Sequence, residues 1–164
     1  MPDHYTRWEG KGRAPFQTLV IPYRGGPQGI EYAVFRRADA GYWQFIAGGG
    51  ENSELPIEAA RREANEEAGI PADAHLFALS SQATVPVLEL AGSLRWGPDV
   101  LVVPEFTFAV PAGDSDLQIG PEHTEYRWVD YETCREMLHW DSNRNAEVLS
   151  KAVDDGSAVT RRVP

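Results

Sequence analysis

The sequence has 164 residues, of which 42% are hydrophobic and 24% charged, and its formal net charge is −10. That length and composition fit one globular domain over residues 1–164. The acidic balance excludes a protein that holds polynucleotide by neutralising its phosphates, because such proteins carry a basic surface. A small phosphorylated ligand remains compatible with it, since metal cations can lie between two sets of negative charges.

Compartment and membrane signals are equally restrictive. No apolar run approaches the roughly 18–20 residues that cross a bilayer, so we expect no membrane partner. The first residues carry no basic, apolar secretory pattern, and Cys134 is the only cysteine. Because a lone thiol suits a reducing compartment, we expect a cytoplasmic protein in which Cys134 is structural.

In chain order, the sequence predicts a loose arm over residues 1–12 and then strands and helices in alternation. Turn residues and β-branched or aromatic runs predict strands at 17–23, 30–35, 76–84, 100–110 and 126–129, with a short aromatic stretch at 42–46. The strongest helix is predicted over 55–68, where Pro56 suits the first turn and Gly69 and Pro71 end it. The tail from 131 to 153 is predicted as one or two helices. This order indicates a mixed α/β layered fold.

The central predicted helix carries an apolar stripe beside an acidic one. Three- and four-residue steps align the small apolar residues on one face: Ile57, Ala60, Ala64 and Ala68. Glu63, Glu66 and Glu67 lie beside them, although like charges four residues apart destabilise a helix by a few tenths of a kcal/mol. A solvated acidic face is the simple interpretation. Carboxylates crowded at the margin of a core instead favour a cation, and oxygen ligands suit Mg²⁺ or Mn²⁺.

The segment before this helix completes a longer motif. The pattern is Gly48, five residues, Glu54, seven residues, then Arg62-Glu63-Ala64-Asn65-Glu66-Glu67-Ala68-Gly69-Ile70. It resembles the Nudix box of the Nudix hydrolase family at every specified position, with seven fixed identities. A chance match at a given start has odds on the order of one in a hundred million, because each identity has a frequency of roughly one in fifteen. One difference is Ile46-Ala47, where many members have Pro-Gly.

The resemblance implies an α/β/α sandwich with a mixed sheet, a loop–helix–loop catalytic motif and Mg²⁺ or Mn²⁺ as cofactor. It also implies hydrolysis of a nucleoside diphosphate linked to another group. Carried over residue by residue, Glu63 and Glu67 are metal ligands, Glu66 assists as a ligand or through water, Glu54 is a loop partner, and Arg62 orients a carboxylate. Gly48 and the two glycines after it let the backbone turn sharply and approach a phosphate or metal. Bound metal would neutralise phosphate oxygens and activate water, which a carboxylate deprotonates.

Flanking runs resemble one branch of that family, the dATP and dihydroneopterin-triphosphate pyrophosphohydrolases. The runs are 43–48, 122–128 and 140–145. The likeness makes Glu122 a remote metal ligand or base, with a surface glutamate as the alternative. It makes Arg13 and Arg36 phosphate contacts, although exposed arginines are usually solvated.

Several polar and aromatic residues leave two interpretations open. Trp43 stacks on a base or pterin, or belongs to the core. Asn143 touches the substrate or caps the last helix. Glu105, in an apolar strand, is an edge residue or faces the site. No histidine has zinc-ligand spacing to another histidine or to the cysteine, so structural or exposed roles are expected.

Rival functions also remain open at this stage. Other Nudix substrates are ADP-ribose, a dinucleoside polyphosphate or oxidised dGTP, and Pro86, sixteen residues after Ile70, points weakly to ADP-ribose enzymes. Isomerase members share fewer of the flanking runs. A non-catalytic binding or regulatory module of the same fold usually lacks box carboxylates, which this chain keeps. The sequence allows a homodimer without predicting one.

Overall fold

A computed structural model of the chain describes residues 7–146. Within that range the strands are β1 (Arg13–Gly26), β2 (Gly29–Arg37), β3 (Trp43–Gln44), β4 (Ile46–Glu51), β5 (Phe77–Ala78), β6 (Ala83–Pro86), β7 (Val102–Pro111) and β8 (His123–Val129). The helices are α1 (Pro56–Ala68), α2 (Val87–Ala91) and α3 (Tyr131–Met137). Residues 141–146 are also helical, and we call them the terminal helix.

The strands form a mixed sheet around β1. This strand pairs in parallel with β7, while its ladders to β2 and β4 are antiparallel. β8 and β3 extend the sheet from β2, and β5 and β6 pair with β7. The central strand is therefore covered on both edges, and its middle residues Leu19, Val20 and Ile21 are fully buried.

Each face of the sheet packs against its own helices. On one face, Val20, Phe35 and Phe108 meet the alanine stripe of α1. On the other face, Leu19, Ile21, Tyr32 and Ala109 pack with Cys134 of α3, with Leu138 directly after it, and with Ala146 of the terminal helix. Helices on both faces of a mixed sheet confirm the predicted α/β/α sandwich. Cys134 is buried in its core.

Local chemistry explains where α1 begins and ends. Pro56 takes the first position, and the Glu58 side chain accepts a hydrogen bond from the Leu55 N–H at 2.7 Å. Gly69 adopts a left-handed conformation with φ of 67°, and the next N–H, of Ile70, bonds to the Ala64 carbonyl. These caps confirm the predicted helix to within one residue.

The glycine run differs from the sequence prediction. Residues 48–50 were expected to turn sharply, but they lie in the extended strand β4, paired with β1. Their lack of side chains serves close packing instead. A Cβ atom at Gly48, Gly49 or Gly50 would lie 2.0–2.1 Å from a side-chain atom of Glu63, Arg13 or Phe16, respectively.

Two further segments differ from their predictions. The strand expected over 76–84 is split into β5 and β6, because residues 79–82 lie opposite only residues 106 and 107 of β7. The surplus residues bulge out of the ladder. The sequence analysis also missed the short helix α2, which follows Pro86 directly. Of the predicted tail helices, the part over 147–153 lies outside the described residues.

The segment before β1 contacts the box loop. In the predicted arm, Arg7 donates to the Ser53 carbonyl at 2.8 Å and pairs with Glu58 at 3.0 Å. Gly12 and Asn52 exchange hydrogen bonds, and Asn52 has a positive φ of 52°. These contacts join the chain before β1 to the loop that precedes α1. Among residues 7–146, no helix has the length and apolar character needed to cross a bilayer.

Candidate active site

A cleft of about 660 Å³ opens where β4 and α1 meet the loop before β8, the terminal helix and α2. One wall is formed by Glu63, Glu66 and Glu67 of α1 together with Glu122, and we call it the acidic wall. The strand residues Gln17, Gln44 and Glu105 also line the cleft, as do Ser142 and Asn143. The cleft is large enough for a small organic ligand.

Glycine packing places the first carboxylate of the acidic wall. Glu63 lies against Gly48 so closely that any other residue there would clash with its carboxyl carbon. Only 9% of Glu63 is exposed, and burial raises the pKa of its carboxyl although Arg62 opposes that rise. The fixed glycine of the box therefore allows a buried carboxylate to lie directly on β4.

Arg62 holds the start of the motif together. Its guanidinium donates to both oxygens of Glu54 at 2.9 and 3.0 Å, to Glu63 at 2.7 Å and to the Gly49 carbonyl at 2.9 Å. Burial opposes ionisation of Glu54, but the Arg62 hydrogen bond and the Glu51 N–H keep the pKa of Glu54 below its usual value. Planar fork geometry makes arginine the residue that can join strand, loop and helix at once.

Glu67 is the least solvated carboxylate of the acidic wall. It is 3% exposed, and its Oε2 is buried without a hydrogen-bond partner. Burial raises the pKa of Glu67 to about 10, and the carboxyl of Glu122 beside it adds to that rise. The buried His123 ring lies 3.6 Å from the same oxygen, and burial lowers the pKa of the imidazole. A neutral histidine therefore does not neutralise Glu67.

These features fit a divalent cation. Carboxylates that repel one another and an unpartnered buried oxygen at Glu67 are costly unless positive charge is supplied, and the donor set is all oxygen. Glu63, Glu66, Glu67 and Glu122 are the residues that would hold it. Over residues 7–146, no three acidic, histidine or cysteine side chains are already clustered closely enough to hold a metal ion. Convergence on a cation would therefore require the side chains to reorient.

A comparison with family models over most of the chain assigns its family. The NUDIX domain model matches residues 19–151, most of the sequence. The chain belongs to the Nudix family. The hydrolases of this family generally use divalent metal ions, and the family match together with the hydrolase relatives supports this chain as an enzyme of that class.

Three relatives place this Nudix hydrolase within the family. An octanoyltransferase of Myxococcus xanthus is 32% identical over 79% of the chain, but the chain spans only 35% of that protein. The dihydroneopterin triphosphate diphosphatase of Escherichia coli K12 is 27% identical, over 82% of this chain and 90% of its own. The crystal structure of a NUDIX-family protein from Listeria monocytogenes is 35% identical, covers 92% of this chain and 100% of its own, and superposes with a TM-score of 0.80.

The structure brings most of the predicted site residues of this Nudix hydrolase into the cleft. Arg13, Gly48, Arg62, the four carboxylates of the acidic wall and Asn143 all line it. Glu54 does not line the cleft, but its carboxylate accepts a hydrogen bond from Arg62, which does. Asn143 is 2% exposed, and its Oδ1 accepts the Phe45 N–H at 2.9 Å, so it also ties the terminal helix to the sheet.

Arg36 and Trp43, like Glu54, are predicted site residues that the structure leaves outside the cleft. They are register partners on β2 and β3, and they share a face of the sheet. Arg36 is exposed and donates to the Gly41 carbonyl, while the Trp43 ring lies under the Arg127 guanidinium at 4.9 Å. Successive strand residues face opposite sides, so Arg37 and Gln44 line the cleft in their place.

Sequence reasoning missed other cleft residues. Gln17 and Arg37 gave no signal beyond strand alternation, which needs the register of β1 and β2 to be interpreted. The position of Glu105 was left open, and the structure places it in the cleft. Its neighbour Ser142 gave no signal either, because the contact joins segments far apart in sequence.

Proposed function

We propose that this Nudix hydrolase cleaves a nucleoside-triphosphate-like substrate, of the dATP or dihydroneopterin triphosphate type, to a monophosphate and pyrophosphate with Mg²⁺ or Mn²⁺. The observation that carries the proposal is the buried Glu67 carboxyl, which faces Glu122 across the acidic wall with one oxygen unpartnered. Ionisation of Glu67 in this site requires a cation, and a cation there would attract the phosphates of an anionic substrate. A cytoplasmic location, where such triphosphates occur, is part of the same proposal.

The residues divide the work by charge and exposure. Arg13 and Arg37 line the cleft and supply positive charge for phosphate oxygens. Glu63 and Glu67 are buried, and with Glu66 and Glu122 they would hold the cation, which neutralises phosphate oxygens and lowers the pKa of water when bound. Arg62 keeps Glu63 and Glu54 in place by the hydrogen bonds described above.

The bond changes follow from this arrangement. Water adds to phosphorus, the bond from that phosphorus to the bridging oxygen breaks in line, and pyrophosphate leaves with the electron pair. A carboxylate reached by solvent takes the proton of the water, and Glu122, exposed at the cleft, is our candidate base. A 27% identical diphosphatase of dihydroneopterin triphosphate supports this substrate type.

ADP-ribose hydrolysis is the second candidate. It is favoured by one observation, the position of Pro86 on the cleft wall where β6 ends. In both candidates a phosphoric anhydride bond is broken, so the same cation site would serve them. They differ in the products and in the group that fills the rest of the cleft.

Product analysis separates the candidates. The protein is incubated with Mg²⁺ and, separately, dATP, dihydroneopterin triphosphate, 8-oxo-dGTP, ADP-ribose and a diadenosine polyphosphate. We expect pyrophosphate and a monophosphate from the triphosphates, and no turnover when EDTA replaces Mg²⁺. A strong preference for ADP-ribose would favour the second candidate, and turnover of no substrate would contradict hydrolysis at this site.

A further inference from the structure

Glu105 is a buried carboxylate that the cation site does not use. It lies in the buried middle of β7, is 6% exposed, and lines the cleft. Its Oε1 is buried without a hydrogen-bond partner. A carboxylate left unsatisfied in this way costs free energy, so its retention at the cleft points to a ligand that donates to it.

Strand alternation places Glu105 on the far side of the sheet from α1. Its neighbour Phe106 packs against the α1 cluster, and the following Phe108 does the same. Glu105 faces the other side, where it bonds with the side chain of Ser142 in the terminal helix. The two ends of the cleft are thus built on opposite faces of one sheet.

The register gives the distance between those ends. Gly49, Gln17 and Glu105 are direct partners across β4, β1 and β7. With neighbouring strands about 4.8 Å apart, Glu105 stands about 10 Å from the strand on which Glu63 lies. A phosphate at the acidic wall therefore leaves Glu105 within reach of a different part of the same substrate.

The neighbours of Glu105 hold its carboxyl in a fixed orientation. Asn143 accepts the Phe45 N–H through Oδ1, and its amide nitrogen lies 3.4 Å from the Ser142 hydroxyl. Ser142 in turn bonds with Glu105, so a chain of polar groups runs from the β3–β4 connection to the carboxylate. We call Glu105, Ser142 and Asn143 the Glu105 end of the cleft.

An ionised carboxylate accepts hydrogen bonds on both of its oxygens and donates none. Burial raises the pKa of Glu105 to about 6, so at pH 7.5 the group is mostly ionised. Two adjacent N–H donors on a flat ring fit both oxygens at once. Guanine and pterin share a 2-amino-4-oxopyrimidine ring, whose ring N–H and amino group offer this pair along one edge, whereas adenine and cytosine present a donor beside an acceptor.

Resting on the proposed function, we propose that Glu105 is a specificity-determining residue that selects triphosphates with a 2-amino-4-oxo edge, of the guanine or pterin class, over adenine and cytosine triphosphates. The unpartnered oxygen receives one donor and the oxygen near Ser142 the other. An adenine ring placed there would set its ring nitrogen lone pair against a carboxylate oxygen. A bidentate contact discriminates by about 10- to 100-fold.

Steady-state kinetics with a panel of triphosphates tests the inference. We would measure kcat/KM with Mg²⁺ at pH 7.5 for dGTP, dihydroneopterin triphosphate, dATP and dCTP. The wild-type enzyme is expected to favour the first two by about 10- to 100-fold. The arms also separate the two sources of the edge, because dGTP and dihydroneopterin triphosphate share it but differ in the attached ring and chain.

Glu105→Gln supplies the matched change, because the amide offers one donor and one acceptor in nearly the same shape. Its ratio of kcat/KM for dGTP over dATP should fall by about 10-fold or more, while Glu136→Gln, on the exposed side of α3, leaves the ratio unchanged. Equal loss for all triphosphates would overturn the inference in favour of a general role. If Glu105→Gln does not fold, a wild-type enzyme that treats all four alike overturns it equally.

The outcomes also distinguish this inference from the proposed function. Release of pyrophosphate from every triphosphate at similar kcat/KM retains the pyrophosphohydrolase and removes the selective role of Glu105. If none of the triphosphates releases pyrophosphate, the proposed function itself is contradicted. Inhibition of triphosphate hydrolysis by the monophosphates GMP and AMP measures their binding, because neither has to be turned over itself. We expect GMP to inhibit at a lower concentration than AMP.

Discussion

The acidic wall and the Glu105 end solve the same problem, a carboxylate removed from water, in different ways. Glu63 and Glu67 stand among like charges on one helix, and within the described part of the chain Arg62 alone forms an ion pair with Glu63. Over residues 7–146, no charged neighbour shifts the pKa of Glu105, and Ser142 is its polar contact. The first arrangement suits a small dense cation, while the second suits a neutral donor group of defined shape. The proposed metal site and the proposed recognition site therefore differ in charge density.

Loss of one carboxylate from the acidic wall should reduce activity more than any other change proposed below. Glu67→Gln keeps the shape of a carboxyl that burial already holds in its neutral form, but it removes the capacity to ionise on a cation. We expect kcat to fall by at least about 100-fold while the fold is kept. The metal-free variant should melt at the same temperature as the wild type or higher, because a raised carboxyl pKa means that ionisation of Glu67 opposes folding.

Kinetics and thermal denaturation in EDTA check both parts, with Glu136→Gln as the control on an exposed helix position. Full activity in Glu67→Gln would show that the acidic wall does not hold the cation. A large drop in melting temperature would instead show that Glu67 serves the fold.

The same comparison explains what the sequence could predict. Glu63, Glu66 and Glu67 are encoded within five residues of one helix, so helical periodicity and caps place them together without knowledge of the rest of the fold. The Glu105 end joins β7, the terminal helix and the β3–β4 connection, over distances along the chain that no local pattern records. Its formation depends on strand register and on packing between distant segments.

Arg36 and Arg37 show the same limit on a smaller scale. Both are arginines at the end of β2, and a shift of one residue decides which of them enters the cleft. The glycine run was predicted to be important, but its role was assigned to a turn. The structure shows that it lies in a strand on which side chains pack closely.

Gly48→Ala should displace a carboxylate of the acidic wall without replacing it. A Cβ there would lie 2.0 Å from the carboxyl carbon of Glu63, so Glu63 must move away from β4. We expect kcat to fall by about 10- to 100-fold, because misplacement of a group at the site by about 1 Å has that effect. Gly25→Ala is the control, since a Cβ at Gly25 meets nothing within 4 Å. Equal activity in the two variants would show that Glu63 need not lie on the strand.

Asn143→Ala removes a hydrogen bond that joins the Glu105 end to the sheet. The substitution removes the acceptor of the buried Phe45 N–H, which keeps no other partner in the terminal helix. Leaving a buried donor unsatisfied should lower the free energy of unfolding by about 2–3 kcal/mol, measured by urea denaturation. Asn145→Ala, exposed on the same helix, should change it by less than about 0.5 kcal/mol. If both variants are equally stable, the terminal helix is held by its apolar contacts alone.

The pH dependence of stability at Glu105 should be the weakest of these effects. Burial raises the pKa of Glu105 from 4.5 to about 6 in the folded protein. The folded state therefore binds this proton more tightly than the unfolded chain does. Its contribution to stability is complete below pH 4.5 and is lost as the pH rises through 6, by no more than about 2 kcal/mol.

Urea unfolding of wild type and Glu105→Gln in EDTA, between pH 4.5 and 8, isolates that contribution. Glu67 also has a raised pKa, but it is present in both proteins and its effect cancels in the difference. The free energy of unfolding of Glu105→Gln minus that of the wild type should rise with pH and level off above pH 7. A difference that does not change with pH would mean that Glu105 ionises in the folded protein as readily as in water. The Glu105 carboxylate would then be too well solvated to distinguish one heterocycle from another.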